Sequence, residues 1–162
     1  MKCFIDTNIL ISAGLFPQSV PSAALIKALS PPYEAIICDY SVDEMLRVTK
    51  RKFPDKRYEL ETFLARILLV VQIIKTPIFA EEAELEIRDI KDRPILRAAI
   101  KAGADLLITG DKDFLESTIT NPRIMKAADF VSDSDIALYD QAKAEDNGER
   151  ISSADLRAKY QI

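Results

Sequence analysis

The chain has 162 residues, 48% hydrophobic and 30% charged, with a formal net charge of −4. This length and composition predict one globular domain with a sizeable core and exclude a disordered chain. The absence of histidine excludes Ser-His-Asp and Cys-His catalysis, histidine-ligated zinc and ribonucleases with a histidine base.

The predicted elements alternate between strands and helices. In chain order we expect a strand at 2–5, a loop containing Pro17 and Pro21, a helix at 22–29, a strand at 34–38, a helix at 42–52, a helical stripe at 60–68, a strand at 70–74, a short acidic helix at 81–87, a helix around 95–100 ended by Gly103, a strand at 105–109 and a weaker strand at 123–126. This alternation predicts an α/β fold, a three-layer α/β/α sandwich with a central, mostly parallel sheet.

We expect the domain to span residues 1–138, followed by a more polar C-terminal arm at 139–162 that is peripheral or partly disordered and has one potential helix at 152–160. The chain starts with a strand-like segment instead of a signal peptide, and no apolar run approaches the roughly 20 residues of a membrane span. The two cysteines are too few for a disulfide framework. We therefore expect a cytoplasmic protein with no membrane contact.

Four carboxylates occupy positions where an α/β sheet forms its functional edge. Asp6 directly follows the first predicted strand, and Asp111 lies two residues beyond the fourth. Glu44 lies in the first turn of the helix after strand two, and Asp92 opens the helix before strand four. Because ligands bind outside the carboxyl ends of the strands in such sheets, we expect these four side chains to converge.

Each carboxylate also has a purely structural explanation: a turn at Asp6, a capping box joining Ser41 and Glu44, an N-cap at Asp92 before Pro94, and a turn at Gly110 and Asp111. Capping explains each residue separately and predicts no convergence. Three further acidic residues compete for the same roles, namely Asp39, Asp89 and Asp113.

Converging carboxylates predict hydrolysis of a phosphodiester. With neither histidine nor a cysteine cluster, a metal ion must be bound by oxygen, which favours Mg²⁺ or Mn²⁺. Two such ions about 4 Å apart can activate a water and stabilise the leaving oxygen. Thr7, Asn8 and Thr109 are suited to orienting ligands or water. The negative net charge argues against broad nucleic-acid affinity, and the basic residues at 50–57 line either an approach path or a solvated helix end.

Several segments resemble the PIN-domain nucleases, and among them the toxins of bacterial toxin–antitoxin pairs. They are Phe-Ile-Asp-Thr-Asn-Ile at 4–9, the helical Glu44, Asp-Arg-Pro-Ile-Leu-Arg-Ala-Ala at 92–99 and Ala-Asp-Leu-Leu-Ile-Thr-Gly-Asp-Lys-Asp-Phe at 104–114. The resemblance covers roughly residues 2–131.

This resemblance implies a parallel sheet flanked by helices, dependence on Mg²⁺ or Mn²⁺, and cleavage of RNA. It implies that Asp6, Glu44, Asp92 and Asp111 bind the metal, with Asp113 as an outer contributor. For the toxin subgroup it also implies a homodimer and a cognate antitoxin protein. Asp39 departs from the subgroup's pattern, because that position often holds a small polar residue.

The main alternative is a catalytically inactive PIN-like module that binds RNA or has a regulatory role. A receiver domain that accepts a phosphoryl group would have an acidic pair after strand one and an acceptor aspartate after strand three, whereas Lys75-Thr76-Pro77 follows strand three. A haloacid-dehalogenase-type phosphatase would have Asp-x-Asp where this chain has Asp6-Thr7-Asn8.

Overall fold

The computed structural model describes residues 1–133. Five parallel strands form one sheet in the order β3-β2-β1-β4-β5: β1 (Lys2–Ile5), β2 (Glu34–Cys38), β3 (Gln72–Ile74), β4 (Leu106–Thr109) and β5 (Arg123–Lys126). The helices are α1 (Thr7–Leu15), α2 (Val20–Leu29), α3 (Asp39–Lys52), α4 (Arg57–Ile67), α5 (Arg93–Lys101), α6 (Lys112–Leu115) and α7 (Ala127–Ser132), with 3-10 turns at Pro54–Lys56 and Glu82–Glu86. The expected domain boundary after 138 and the helix at 152–160 lie outside the described residues.

The central strand β1 separates two hydrophobic cores because its side chains alternate between the faces of the sheet. Ile5 belongs to a core formed with α1, α2, α4 and α7, whereas Phe4 belongs to a core formed with α5 and α6. Both side chains are fully buried. The predicted three-layer α/β/α architecture is therefore confirmed, and the sheet predicted to be mostly parallel is parallel throughout.

Helix α1 is the main element that the sequence prediction missed, because residues 7–21 were expected to form a loop. Its sequence, TNILISAGL, is rich in residues with low helix propensity. Burial of Ile9, Leu10 and Ala13 stabilises it instead. Gly14 permits close packing against α4, since a Cβ there would lie 2.7 Å from Leu60 Cδ2.

Three predicted boundaries also change. The helix expected from 42 begins at Asp39, and the one expected from 22 begins at Val20, where Ser19 caps it and Pro21 occupies its first turn. The acidic segment expected to be a helix is a 3-10 turn at Glu82–Glu86. Within residues 1–133 no single helix is long and apolar enough to span a membrane. Helices α1 and α2 reach that length only together, and their axes are bent by 115° relative to each other.

Candidate metal centre

Asp6 lies where β1 ends, and hydrogen bonds around its carboxylate link the end of β1 to the end of β4. The side chain is 3% exposed, and Oδ2 accepts hydrogen bonds from Thr109 Oγ1 and Asn8 Nδ2, both at 2.5 Å. Asn8 Oδ1 in turn accepts from the backbone amide of Gly110 at 3.1 Å, and Thr109 Oγ1 accepts from that of Asp111 at 2.9 Å. The ends of β1 and β4 are thus held together around a buried carboxylate by uncharged donors.

The local explanations for the four carboxylates fail for three of them. Asp6 and Asp92 occupy N-cap positions of α1 and α5, yet neither side chain makes a capping hydrogen bond. Glu44 cannot belong to a capping box, because Ser41 is already inside α3. Only Asp111 caps its helix, accepting from the amide of Asp113 at 2.7 Å through Oδ1.

The four carboxylates form one electrostatic cluster around Asp92. Burial and, after it, the negative charges of Asp92 and Glu44 raise the pKa of Asp6 to about 7, although the hydrogen bond from Thr109 opposes the change. The pKa of Asp92 also rises to about 7, first through burial and then through Asp111, Asp89 and Glu44. Asp92 therefore lies within electrostatic reach of each of the other three.

The cluster is not a preformed coordination sphere. Within residues 1–133, no three Asp, Glu or Cys side chains are close enough together to hold a metal ion as they stand. Asp6 and Asp111 each direct an oxygen towards a protein donor. Repulsion favours this spacing, because two like charges at 4 Å cost up to about 4 kcal/mol at an effective dielectric of 20. A cation would have to draw the carboxylates inward.

The three competing acidic residues are held by other partners. Asp39 Oδ1 accepts from the backbone amide and hydroxyl of Thr76; although partial burial opposes the change, these hydrogen bonds lower the pKa of Asp39. Asp113 accepts from Arg88 through Oδ1 and from the amide of Asp89 through Oδ2. Asp89 itself accepts from the amide of Lys91.

Asp113, expected to be an outer contributor to metal binding, uses both carboxylate oxygens in contacts with the segment before Asp92. Arg88 also contacts Glu116 at 3.0 Å. These contacts tie the segment that precedes Asp92 to helix α6. Asp113 therefore acts on the cluster by fixing this segment and by its charge, which raises the pKa of Asp92.

Two cavities border the cluster. One, of about 480 Å³, contains Asp111 together with Asn8 and Thr109. The other, of about 260 Å³, contains Glu44 and is otherwise lined by Tyr40, Arg47, Val48, Arg51 and Lys91. A further cavity, of about 890 Å³, lies between α6, β5 and α7, and none of the four carboxylates lines it.

A family model for the PIN domain matches residues 2–113. The chain belongs to the PIN-domain family. This match covers all four carboxylates and removes the receiver-domain and phosphatase alternatives. The supporting residues Thr7, Asn8, Thr109 and Asp113 lie within the same range.

Solved structures share the PIN fold of this chain. VapBC2 from Rickettsia felis, bound to a DNA fragment from its promoter, superposes with a TM-score of 0.60 at 20% identity, covering 78% of this chain and 98% of that one. VapC20 of Mycobacterium tuberculosis, a toxin that cleaves the sarcin–ricin loop, gives a TM-score of 0.50 at 16% identity, covering 70% and 93%. No curated protein sequence matches the chain.

The residues of this PIN domain fit a hard divalent ion. The donors are carboxylate oxygens, which Mg²⁺ and Mn²⁺ prefer. The charges of Asp92 and Glu44 both raise the pKa of Asp6, so these carboxylates repel one another. The buried hydroxyl of Thr7, next in sequence to Asp6, has no hydrogen-bond partner in the described chain.

Sequence reasoning did not find the role of Arg88, and of the basic cavity beside Glu44 it named only Arg51, within the basic residues at 50–57. Arg88 and Asp113 are 25 residues apart, and nothing in their local sequence pairs them. For the cavity a signal did exist, because Tyr40, Glu44, Arg47 and Arg51 recur at helical spacing along α3.

Proposed function

We propose that this PIN domain is an endoribonuclease that hydrolyses RNA phosphodiesters with Mg²⁺ or Mn²⁺ held by Asp6, Glu44, Asp92 and Asp111. The observation that carries this proposal is the gathering of these carboxyls at the carboxyl edge of the sheet, where burial and the acidic neighbours raise the pKa of Asp6 and Asp92 to about 7. Strongly perturbed carboxyls of this kind mark functional sites more often than structural ones. A divalent cation would relieve the repulsion that raises both values.

Each side chain has a separate role in this proposal. A bound divalent ion would supply the charge that activates a water molecule and stabilises the leaving oxygen. Thr109 and Asn8 fix the orientation of Asp6 by donating to the same oxygen, Oδ2. Asp113 holds the segment before Asp92 through Arg88. Without histidine, water is a better nucleophile candidate than the ribose 2′-hydroxyl.

We also propose that the protein acts in the cytoplasm as the toxin of a toxin–antitoxin pair, as a homodimer inhibited by a cognate antitoxin. The structural likeness to VapBC2 and VapC20 supports this assignment. The alternative, an inactive RNA-binding or regulatory module, would keep the fold without turnover. The four carboxylates favour the enzyme, because an inactive module has no need for carboxylates that repel one another.

The experiment is cleavage of end-labelled RNA containing single-stranded and stem-loop regions. We expect cleavage with Mg²⁺ or Mn²⁺, none with EDTA, and products with 5′-phosphate and 3′-hydroxyl ends. Asp92→Asn should lower the rate by orders of magnitude. Asp39→Asn is the matched control, since this carboxylate binds Thr76 instead.

Cleavage that persists in EDTA, or products with a 2′,3′-cyclic phosphate, would overturn the mechanism. RNA binding without cleavage under any metal condition would favour the inactive module. Equal losses in Asp92→Asn and Asp39→Asn would remove the specific role of the carboxylate cluster.

A further inference from the structure

The cavity beside Glu44 is a cleft in which basic residues lie next to candidate metal carboxylates. Helix α3 contributes Glu44, Arg47 and Arg51 to its lining. Lys91, which directly precedes Asp92 in sequence, also lines it. The cleft therefore adjoins the carboxylate cluster.

The arginines of this cleft follow Glu44 in sequence along one face of α3. Given a helical rise of about 1.5 Å per residue, Arg47 and Arg51 lie roughly 4.5 Å and 10.5 Å beyond Glu44 along the axis. The Arg47 guanidinium lies 5.4 Å from the centre of the Tyr40 ring, a cation–π contact that orders it. The cleft thus presents several basic groups beside Glu44.

The cations of this cleft have no acidic partner. Within residues 1–133, none of Arg47, Arg51 and Lys91 makes an ion pair, whereas five other basic side chains do. The three carry a charge of +3 beside the single carboxylate of Glu44 in a chain whose net charge is −4. Unpaired cations concentrated in one cleft of an acidic protein indicate an anionic ligand.

We propose that this cleft, lined by Arg47, Arg51 and Lys91, binds the phosphodiester backbone of the RNA strand next to the scissile phosphate. The inference rests on the proposed nuclease function and assigns that site the residues that position its substrate. Basic contacts of this kind bind phosphates without reading bases. They therefore align the strand and leave sequence preference to other surfaces.

An RNA strand fits the cleft better than an acidic peptide. The basic residues lie beside Glu44 and next in sequence to Asp92, where the proposed reaction requires a phosphate, so neighbouring phosphates of the same strand would reach them. Nothing at the adjacent carboxylate cluster requires a peptide. Each contact with a phosphate of a single strand also contributes about 0.7 to the slope of log affinity against log salt, which can be measured.

The test is binding of a short fluorescent single-stranded RNA, followed by anisotropy over a series of salt concentrations. The full chain carries Asp6→Asn and Mg²⁺ is present, so that turnover does not deplete the ligand. Adding Arg47→Gln with Arg51→Gln should weaken binding about tenfold or more and reduce the slope of log affinity against log salt by about 1.4. Arg66→Gln, an exposed arginine on α4, is the matched control and should change neither quantity.

The charge-conserving pair Arg47→Lys with Arg51→Lys separates lost phosphate contacts from damage to the fold, and it should keep most of the affinity. Unchanged affinity and slope in the glutamine pair would overturn the proposal. Binding of a poly-glutamate peptide is measured in the same way. If the glutamine pair loses affinity for this peptide but keeps its affinity for RNA, the proposal is also overturned. Cleavage of the RNA by the Asp6→Asn protein would contradict the proposed metal-binding role of Asp6 and not the cleft, because the comparison of salt slopes can be repeated in EDTA.

Discussion

Replacing Asp6 with asparagine separates a metal-binding role from a structural one. Asparagine keeps an oxygen that can accept from Thr109 and Asn8, so both hydrogen bonds to this side chain can persist. The change removes only the negative charge that burial and the acidic neighbours disfavour. We therefore expect the metal-free variant to fold at least as stably as the parent.

The magnitude follows from the pKa of Asp6, which rises from 3.8 to about 7. Each pKa unit corresponds to about 1.4 kcal/mol, so the ionised carboxylate costs up to about 4 kcal/mol of folding free energy. The folded protein holds this proton more tightly than the unfolded chain does. The parent's stability should therefore fall as the pH rises from about 4 to about 7. Asp6→Asn should match the parent near pH 4 and exceed it above pH 7.

The assay is thermal unfolding across this pH range, with and without Mg²⁺ or Mn²⁺. The full 4 kcal/mol corresponds to roughly 8–16 °C in Tm for a chain of this size. The variant should also lose most of the rise in Tm that the metal gives the parent, because binding to the folded state stabilises it by mass action. As the control, Asp39→Asn should keep that rise and lose stability at neutral pH, since hydrogen bonds hold the Asp39 pKa below its usual value. An Asp6→Asn protein that is less stable than the parent at high pH, yet keeps the metal-induced rise, would refute the reasoning.

Three further predictions concern single contacts. Gly103→Ala should lower the free energy of unfolding by about 1–2 kcal/mol, because φ is 60° there; a neutral result in urea denaturation would contradict this conformation. Arg97→Met should cost about 3–5 kcal/mol, because it leaves Glu84, 3% exposed, without the two-pronged ion pair at 2.8 Å. Adding Glu84→Gln should recover part of that loss, and no recovery would argue against the pair. Thr109→Val removes a hydrogen bond that lowers the pKa of Asp6, so the stability change assigned to Asp6 should extend to higher pH in thermal unfolding; an unshifted profile would contradict that contact.

The sheet could be predicted from the sequence because its strands are short apolar runs between clear turn signals. β1 and β5 coincide with their predicted ranges, and β4 lies within its predicted range. Helix α1 could not be predicted from local helix propensity, because it is stabilised by burial of its apolar side chains and by close packing of Gly14 against α4. The beginning of α3 was placed three residues late because its first turn, Asp39-Tyr40-Ser41, carries no apolar periodicity.

The candidate site was predictable where residues follow strands, and less so elsewhere. Asp6 and Asp111 come from strand ends, so the parallel topology alone brings them to one edge. The pairing of Arg88 with Asp113 depends on how the segment after β3 returns to α6, which no local pattern encodes. The position of Lys91 is equally absent from any local pattern, because this residue lines the basic cleft only when its segment packs beside α3.

The central claim, that these carboxylates bind a divalent metal, is tested most directly by crystals of the full chain soaked in Mn²⁺. We expect an anomalous peak within bonding distance of Asp6 and Asp92, with Glu44 or Asp111 drawn inward from the positions described above. Crystals of Asp6→Asn treated in the same way should lose or weaken this peak. A Mn²⁺ peak bound elsewhere, or the same peak at full height in Asp6→Asn, would contradict the account.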